Sequence, residues 1–427
     1  MSADGMSEPV HRALRGGASS VPARHPFALT GQRAQSQIAR PIRPRKFLDH
    51  ARSVPKIRVE RVIPALDFGG AESLLVVHAT EHDRERIDLG VCAIGHGGRA
   101  AGEIRARGLR VSELGVDSSI RNPRATLALV RHLRRVRPDL VHATVPEADY
   151  HAAVACRLLG IPCLIDEAGI PSRGRVGRAV FGALHRSVAG NVAVSEQLAD
   201  HLVRVEHAPR ERITVVPTCA DRESFDAPKT DYAIASPIRI ACIGRLAEVK
   251  NYEVLVRAVT LLAARGRTAH VDIAGEGPHR AAIERVIEAE RAHDRVRLLG
   301  FYDDRRGLLR RADLYAIPSW SEGCSLSLIE AMAAAVPALA SRVPGNLEVL
   351  GDDLAGWTAP PESADAWADL ILRAADLSSP QRSALGARAR ERALERFSPA
   401  AYARTLEGLY ARTLHRWDDQ EGVETWI

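Results

Sequence analysis

Lysine is nearly missing from this chain: 427 residues hold four lysines against 55 arginines. Arginine is the generic cation here, so each lysine needs a reason of its own. Aromatic residues make up only 4% while 46% of residues are hydrophobic, so the cores must be built from Ala, Val, Leu and Ile. The six cysteines (Cys92, Cys156, Cys163, Cys219, Cys242 and Cys324) contain no Cys-x-x-Cys pair, which argues against a zinc site. Several fall in predicted strands and read as reduced thiols acting as small hydrophobes. No uninterrupted apolar run reaches the ~20 residues of a membrane-spanning helix. His78 and His82 share i, i+4 spacing without a third ligand nearby, and read as a surface pair rather than a metal site.

The missing motifs narrow the chemistry further. There is no Asp-x-Asp, so the carboxylate pair of a metal-dependent sugar-nucleotide site is lacking. There is no Walker phosphate loop, no Gly-x-Ser-x-Gly elbow and no nucleic-acid module with interleaved aromatics. The net charge of +6 does not restore a nucleic-acid partner. Residues 1–56 hold ten Lys/Arg against three Asp/Glu, which accounts for +7 and leaves the remainder at −1. That segment is rich in Arg, Pro, Ser and Gly, without sustained periodicity, and reads as a disordered basic tail. It has no apolar core of signal-peptide length, which points to a cytoplasmic protein. A peripheral seat on the inner face of the plasma membrane, with the basic arm touching anionic headgroups, is the further option.

What is present is alternation. Short apolar runs at 57–64, 89–94, 140–143, 163–166, 192–194 and 213–216 are interleaved with amphipathic stretches such as 72–82, 124–136 and 148–159. The second half repeats the pattern, with strands at 238–243, 269–274, 296–299, 314–317 and 338–340. Helices are expected at 252–264, 279–291, 305–310, 325–334 and 364–375. Near-continuous apolar strands alternating with helices predict parallel sheets covered on both faces. The strands are too many for one ordinary sheet, so two doubly wound domains are expected. A linker rich in Pro and polar residues is expected near 226–237.

In such sheets ligands bind beyond the carboxyl ends of the strands, and the candidate motifs fall there. Gly69-Gly70-Ala71-Glu72 follows the first strand, where glycines let backbone approach a ligand. Gly244-Arg245-Leu246 with Lys250-Asn251 follows the first strand of the second half. Lys250 is the last lysine of the chain, and a compact ammonium beside the Arg245 fork suits a diphosphate. Gly275-Glu276-Gly277-Pro278 makes a turn into a helix, and Phe301-Tyr302-Asp303-Asp304 could edge a base. The richest stretch is 318–337. Glu322 and Glu330 bracket a loop and helix start in which Ser325 is a plausible N-cap. The free amides of Gly323, Cys324, Ser325 and Leu326 offer a phosphate site, and the carboxylates can accept from sugar hydroxyls.

Taken in order, these motifs resemble the family-four glycosyltransferases, whose GT-B fold sets two Rossmann-like domains face to face. The match covers roughly 59–414 and includes the Glu322-x7-Glu330 pattern, Ala340-Ser341 and Gly345-Asn346-Leu347-Glu348. Beyond the basic tail at 1–56, the resemblance implies an acceptor-side domain at 57–228, a nucleotide-sugar domain at 229–396 and a final helix at 397–427 crossing back to the first domain. It implies retaining transfer from a nucleoside-diphosphate sugar, with that donor a substrate and with neither cofactor nor metal required. Arg245 and Lys250 would bind the diphosphate and Glu330 the ribose. Glu322 and the 323–326 backbone would hold the sugar and β-phosphate, and Gly69 and Gly70 would bring first-domain backbone to the donor. The acceptor would be a glycan, a lipid-linked molecule or a small molecule. An epimerase, a phosphorylase and a non-catalytic sugar-nucleotide scaffold are the alternatives on the same architecture.

The chain departs from the family pattern in two places. His142-Ala143-Thr144 stands where many members carry His-x-His, so Thr144 takes the place of the sugar-facing histidine, and Thr218-Cys219 replaces the usual Asn-Gly. In the first domain Arg173, Arg175, Arg178, His185 and Arg186 lie among Val176, Val180, Phe181 and Leu184. Arg131, Arg134, Arg135 and Arg137 form a second stripe. Both read either as solvated helix faces or as docking surfaces for an anionic membrane.

Overall fold

The structure is a computed structural model that describes residues 56–424 apart from 68, 168, 170 and 172, and side chains up to 419. The basic tail therefore lies outside the described residues. Two all-parallel sheets form. The first contains β1 (Ile57–Ile63), β2 (Ile87–Ala93), β3 (Arg110–Glu113), β4 (Leu140–Thr144), β5 (Cys163–Glu167), β6 (Gly190–Ala193) and β7 (Ile213–Val215). The second contains β8 (Ile238–Ile243), β9 (Ala269–Ala274), β10 (Val296–Gly300), β11 (Leu314–Ile317), β12 (Ala338–Ser341) and β13 (Thr358–Ala359). Their orders are β3-β2-β1-β4-β5-β6-β7 and β10-β9-β8-β11-β12-β13, the same doubly wound pattern twice.

β8 is apolar because both of its faces are covered by helices, and Arg239 is its one exposed residue. The two domains even share a fastening. In the first, Asp139 just before β4 accepts from Arg58 N, Nε and Nη2 at 2.9, 3.2 and 2.6 Å. In the second, Asp313 just before β11 accepts from Arg239 N, Nε and Nη2 at 2.8, 3.2 and 2.7 Å. In both cases the fork ties the first strand of a domain to its fourth, across the point where strand order reverses.

Local signals set the helix ends. Ser195, Ser325, Ser363 and Ser378 each cap a helix with a side-chain acceptor. Gly160 closes the helix Pro146–Leu159 at φ 66°, where a side chain would be strained. The segment expected as a linker is instead partly buried against the second domain. Lys229 N donates to the Ala334 carbonyl at 2.8 Å, and the Tyr232 hydroxyl donates to that of Ala335 at 2.9 Å.

The last helix, Pro399–Glu424, leaves the second domain and packs Tyr402, Leu406, Leu409, Tyr410 and Leu414 against Val59, Leu89, Leu140 and Leu164 of the first sheet. No helix among the described residues is long and apolar enough to cross a membrane.

Candidate functional site

Strand order reverses between β1 and β4 in one sheet and between β8 and β11 in the other. Crevices open beyond the carboxyl ends at such points. A cavity of about 730 Å³ occupies the space between the two, lined by both domains. The first domain contributes Arg61, Gly69, Gly70, Thr144 and Asp166, and the second contributes Gly244, Gly275, Tyr302, Leu326 and Glu330.

On the second-domain side the backbone is drawn tight. A Cβ on Gly275 would stand 1.9 Å from the Gly244 carbonyl oxygen, and one on Gly277 would stand 2.2 Å from that of Leu246. Only glycine permits the loops after β8 and β9 to stack this closely. Gly345 does the same for the next pair of loops, since a Cβ there would lie 2.0 Å from the Glu322 carbonyl oxygen.

A polar chain runs through these loops. Asn346 Nδ2 donates to Ser341 Oγ at 3.0 Å, Ser341 Oγ to the Ser319 carbonyl at 2.6 Å, and Ser319 Oγ to Glu322 Oε1 at 2.5 Å. Lys250 Nζ completes it, donating to the same Glu322 oxygen at 2.7 Å. Asn251 has a structural task. It adopts φ 52° and donates through Nδ2 to the carbonyls of Pro318 and Pro361 at 3.1 and 2.7 Å.

Glu330 sits one turn into the helix Leu326–Ala333 and is 5% exposed. Burial pushes its carboxyl up to about 7, Arg305 pulls the other way, and Asp221 pushes up again. Arg305 Nη1 donates to Glu330 Oε1 at 3.2 Å. Phe301, Tyr302 and Asp303 line the cavity beside this pair.

The first-domain floor is built around Arg61, in the middle of β1 and 1% exposed. Its Nη2 donates to Thr144 Oγ1 at 2.7 Å, and its Nη1 to the Tyr410 hydroxyl at 3.4 Å. That hydroxyl is left to donate to His142 Nδ1, 2.9 Å away. Burial first, then the Arg61 charge, hold His142 and His78 well below the usual imidazole range. Both are therefore neutral, which suits a crowded site with one fixed cation. Thr144 Oγ1 also reaches Asp166 Oδ2 at 3.5 Å. Burial pushes Asp166 up to about 6, against the pull of Arg61. Next to Thr144, Val145 adopts φ 81° and ψ 136°, a strained conformation for a β-branched residue.

The residues singled out from sequence fall into two groups. Gly69, Gly70, Cys324, Leu326 and Glu330 line the cavity. Ser325 is a buried N-cap whose Oγ accepts from Leu328 N at 3.4 Å, and Gly323 faces Val194 of the first domain. Lys250 and Glu322 are bonded to each other rather than lining the cavity, although the Lys250 stem passes 3.7 Å from where a Gly244 Cβ would be. Arg245 is exposed. Arg61, Asp166, Arg305 and Tyr402 line the cavity without having been foreseen. For Arg61 a signal existed: Glu60 and Arg61 stand side by side inside a strand whose other residues from Val59 to Ile63 are apolar.

Two readings need correction. His78 and His82 are not a surface pair, being 0% and 6% exposed, and the His78 ring lies 5.9 Å from that of Tyr410 beneath the last helix. The stripe on Arg175–Ser187 is not wholly a solvated face. Arg173 is engaged by Glu167 and, at 2.7 Å, by Glu206. His185 lies fully buried between Asn191 and Glu206, because the helix turns these groups, with Phe181 and Leu184, toward the sheet.

Comparison with known proteins places this architecture. Residues 229–392 match the family model described as glycosyl transferases group 1, and residues 68–224 match that of glycosyltransferase family 4. The chain is 30% identical over 185 residues to the amylovoran biosynthesis glycosyltransferase AmsK of Erwinia amylovora. That alignment covers 42% of this chain and 45% of that protein, so the chain spans about half the length of this relative. It is 26% identical to the putative glycosyltransferase EpsF of Bacillus subtilis, over 76% of this chain and 89% of that one. Among solved structures, a glycosyltransferase from Rickettsia africae superposes with a TM-score of 0.71 at 19% identity, covering 84% of this chain and 99% of that one. Anabaena HepE in complex with UDP superposes at 0.69 and 18%, covering 83% and 100%.

Proposed function

Because the chain belongs to the group 1, family 4 glycosyltransferases, we propose that it moves a sugar from a nucleoside-diphosphate sugar to an acceptor hydroxyl with retention and without a metal ion. The acceptor is a glycan, a lipid-linked molecule or a small molecule. The observation that carries the reading is the single cavity shared by both switch points, with glycine loops on both sides and a buried carboxylate in the second.

Glu330 in its ionised form accepts from the ribose hydroxyls, and Tyr302 and Phe301 border the base. The amides at the start of the helix Leu326–Ala333 meet the diphosphate at the positive helix end. Lys250 and Arg245 supply the cationic charge that the leaving diphosphate needs. Glu322 orients the Lys250 ammonium through their 2.7 Å contact and also accepts from the transferred sugar. Gly69 and Gly70 bring first-domain backbone to the donor, and Gly70 leaves open space for it: a Cβ there would meet nothing within 4 Å.

In the transfer step the bond from C1 to the β-phosphate oxygen breaks. The bond from C1 to the acceptor oxygen forms on the same face, and the acceptor proton passes to the leaving phosphate. Nothing in this scheme needs a protein nucleophile, so catalysis is positional and electrostatic.

A second reading is favoured by Asp166, a first-domain carboxylate held at about 6 in the same cavity. Such a group could act as general base in an inverting transfer. A thermal-shift screen of UDP-, GDP- and ADP-sugars identifies the donor, and an acceptor panel with NMR of the product reads the anomeric configuration. Retention supports the first reading. Inversion, abolished by Asp166→Asn, replaces it with the second, and turnover of the sugar nucleotide without acceptor replaces both with an epimerase.

A further inference from the structure

We propose that the outer face of the first domain's three-helix layer docks on an anionic lipid surface. The helices Pro123–Val136, Pro146–Leu159 and Arg175–Ser187 cover one side of the first sheet, packing Leu129, Leu133, Ala152, Cys156, Phe181 and Leu184 inward. Their outer side is one-sided in charge. Ten exposed arginines lie between Arg121 and Arg186, on these helices or at their ends, while every Asp and Glu in that span is buried or half-buried.

The acids that would neutralise such a face are turned inward. Glu60 is taken by His132 and Arg110, Asp139 by Arg58, and Glu167 by Arg173. The stripe read from sequence thus loses Arg173 and His185 to the interior but keeps Arg175, Arg178 and Arg186 outside. It joins the second stripe, which includes Arg131 and Arg134, in one layer.

The same face is also apolar. Of nine exposed large hydrophobic residues among those described, four are here: Leu127, Leu158, Val176 and Val180, at 48, 65, 80 and 38% exposure. Leu127, Leu158, Val130, Val154 and Tyr150 line an open groove of about 870 Å³ together with Arg121 and Arg134. Aliphatic side chains set among arginines match the boundary between headgroups and acyl chains, where charge attracts and apolar area inserts. A single-stranded nucleic acid would call instead for a row of stacking aromatics, and Tyr150 is the one aromatic lining this groove. The inference deepens the glycosyl-transfer reading, on which it rests only for its implication, a lipid-linked acceptor.

The test uses the full chain in flotation with phosphatidylcholine vesicles, pure or containing about 30% phosphatidylglycerol. Binding is expected to the anionic vesicles alone and to weaken steeply from about 0.1 M to about 0.5 M salt as screening shortens. Arg134→Glu with Arg178→Glu, and separately Leu158→Ser with Val176→Ser, are each expected to weaken partitioning by about tenfold or more. Unfolding temperature and nucleotide-sugar binding should stay unchanged, which separates failure of this proposal from failure of the transfer reading. The proposal is overturned by no flotation, by equal flotation on neutral vesicles, by double variants that float like the wild type, or by tighter binding to a double-stranded DNA oligonucleotide than to the anionic vesicles.

Discussion

Replacing Glu330 by glutamine separates two consequences of one buried carboxylate. Burial holds the group at about 7, against an ordinary value of 4.5. The folded protein therefore favours the protonated form. Stability attributable to this group is complete below about 4.5, falls as pH rises toward 7 and is flat above. The gap corresponds to at most about 3 kcal/mol. Glutamine stays neutral, so the variant should melt a few degrees higher than wild type at pH 8 and equally at pH 4.5. Arg305 loses its partner at little cost, because its side chain is 48% exposed and hydrates.

Ligand binding should move the other way. A charge-assisted hydrogen bond contributes about 1.5–3 kcal/mol, so the variant should bind the nucleotide sugar roughly ten- to a hundredfold more weakly at pH 8. Wild-type affinity should drop about tenfold between pH 8 and pH 6, as Glu330 takes up its proton. The variant should show no such slope. A nucleotide sugar is the right probe, because its diphosphate is esterified at both ends and does not titrate in this range. Calorimetry at several pH values, with Asp166→Asn as the control for the other titrating carboxylate, reads both effects. Wild-type affinity in the glutamine variant at pH 8, or a flat profile for wild type, would refute the contact between Glu330 and donor.

Substitutions at four further positions have expected outcomes. Gly70→Ala should fold like wild type, since its methyl meets no protein atom, yet lose donor affinity; Gly275→Ala should lose at least about 1–3 kcal/mol of stability, because its Cβ meets the Gly244 carbonyl at 1.9 Å. Lys250→Ala should reduce transfer by about a hundredfold or more while EDTA leaves the wild-type rate unchanged; a chelator-sensitive rate would contradict metal-independent transfer. Tyr410→Phe should lower stability by about 1–3 kcal/mol in denaturant titration, because Arg61 and His142 both lose a buried partner.

Much of the fold was legible because apolar periodicity reflects burial directly. The helices Tyr252–Ala264 and Ala364–Ala375 have the expected bounds, since their buried residues recur at helical spacing. β3, Arg110–Glu113, escaped notice because it is an edge strand with no buried residue to mark it. The arginine-rich helix Ser379–Phe397 escaped because few of its positions are apolar. On the second-domain side, glycines and charges following strands pointed to loops that line the cavity. Their pairing did not show, and neither Lys250 with Glu322 nor Glu330 with Arg305 could be read from spacing.

By itself the sequence determined the alternation that makes two parallel sheets and the glycine loops at the strand ends. These are local properties, carried by residue type within a few positions. Only the tertiary structure decided which charges are buried and which face outward. Arg61 finds Thr144 and Tyr410 at separations of 83 and 349 positions, and the last helix must return to the first domain to bring Tyr410 there. The same folding turns Arg173 and His185 inward while leaving Arg175 and Arg178 in solvent. A charge's environment is set by what packs over it, and in a doubly wound fold those neighbours come from distant stretches of chain.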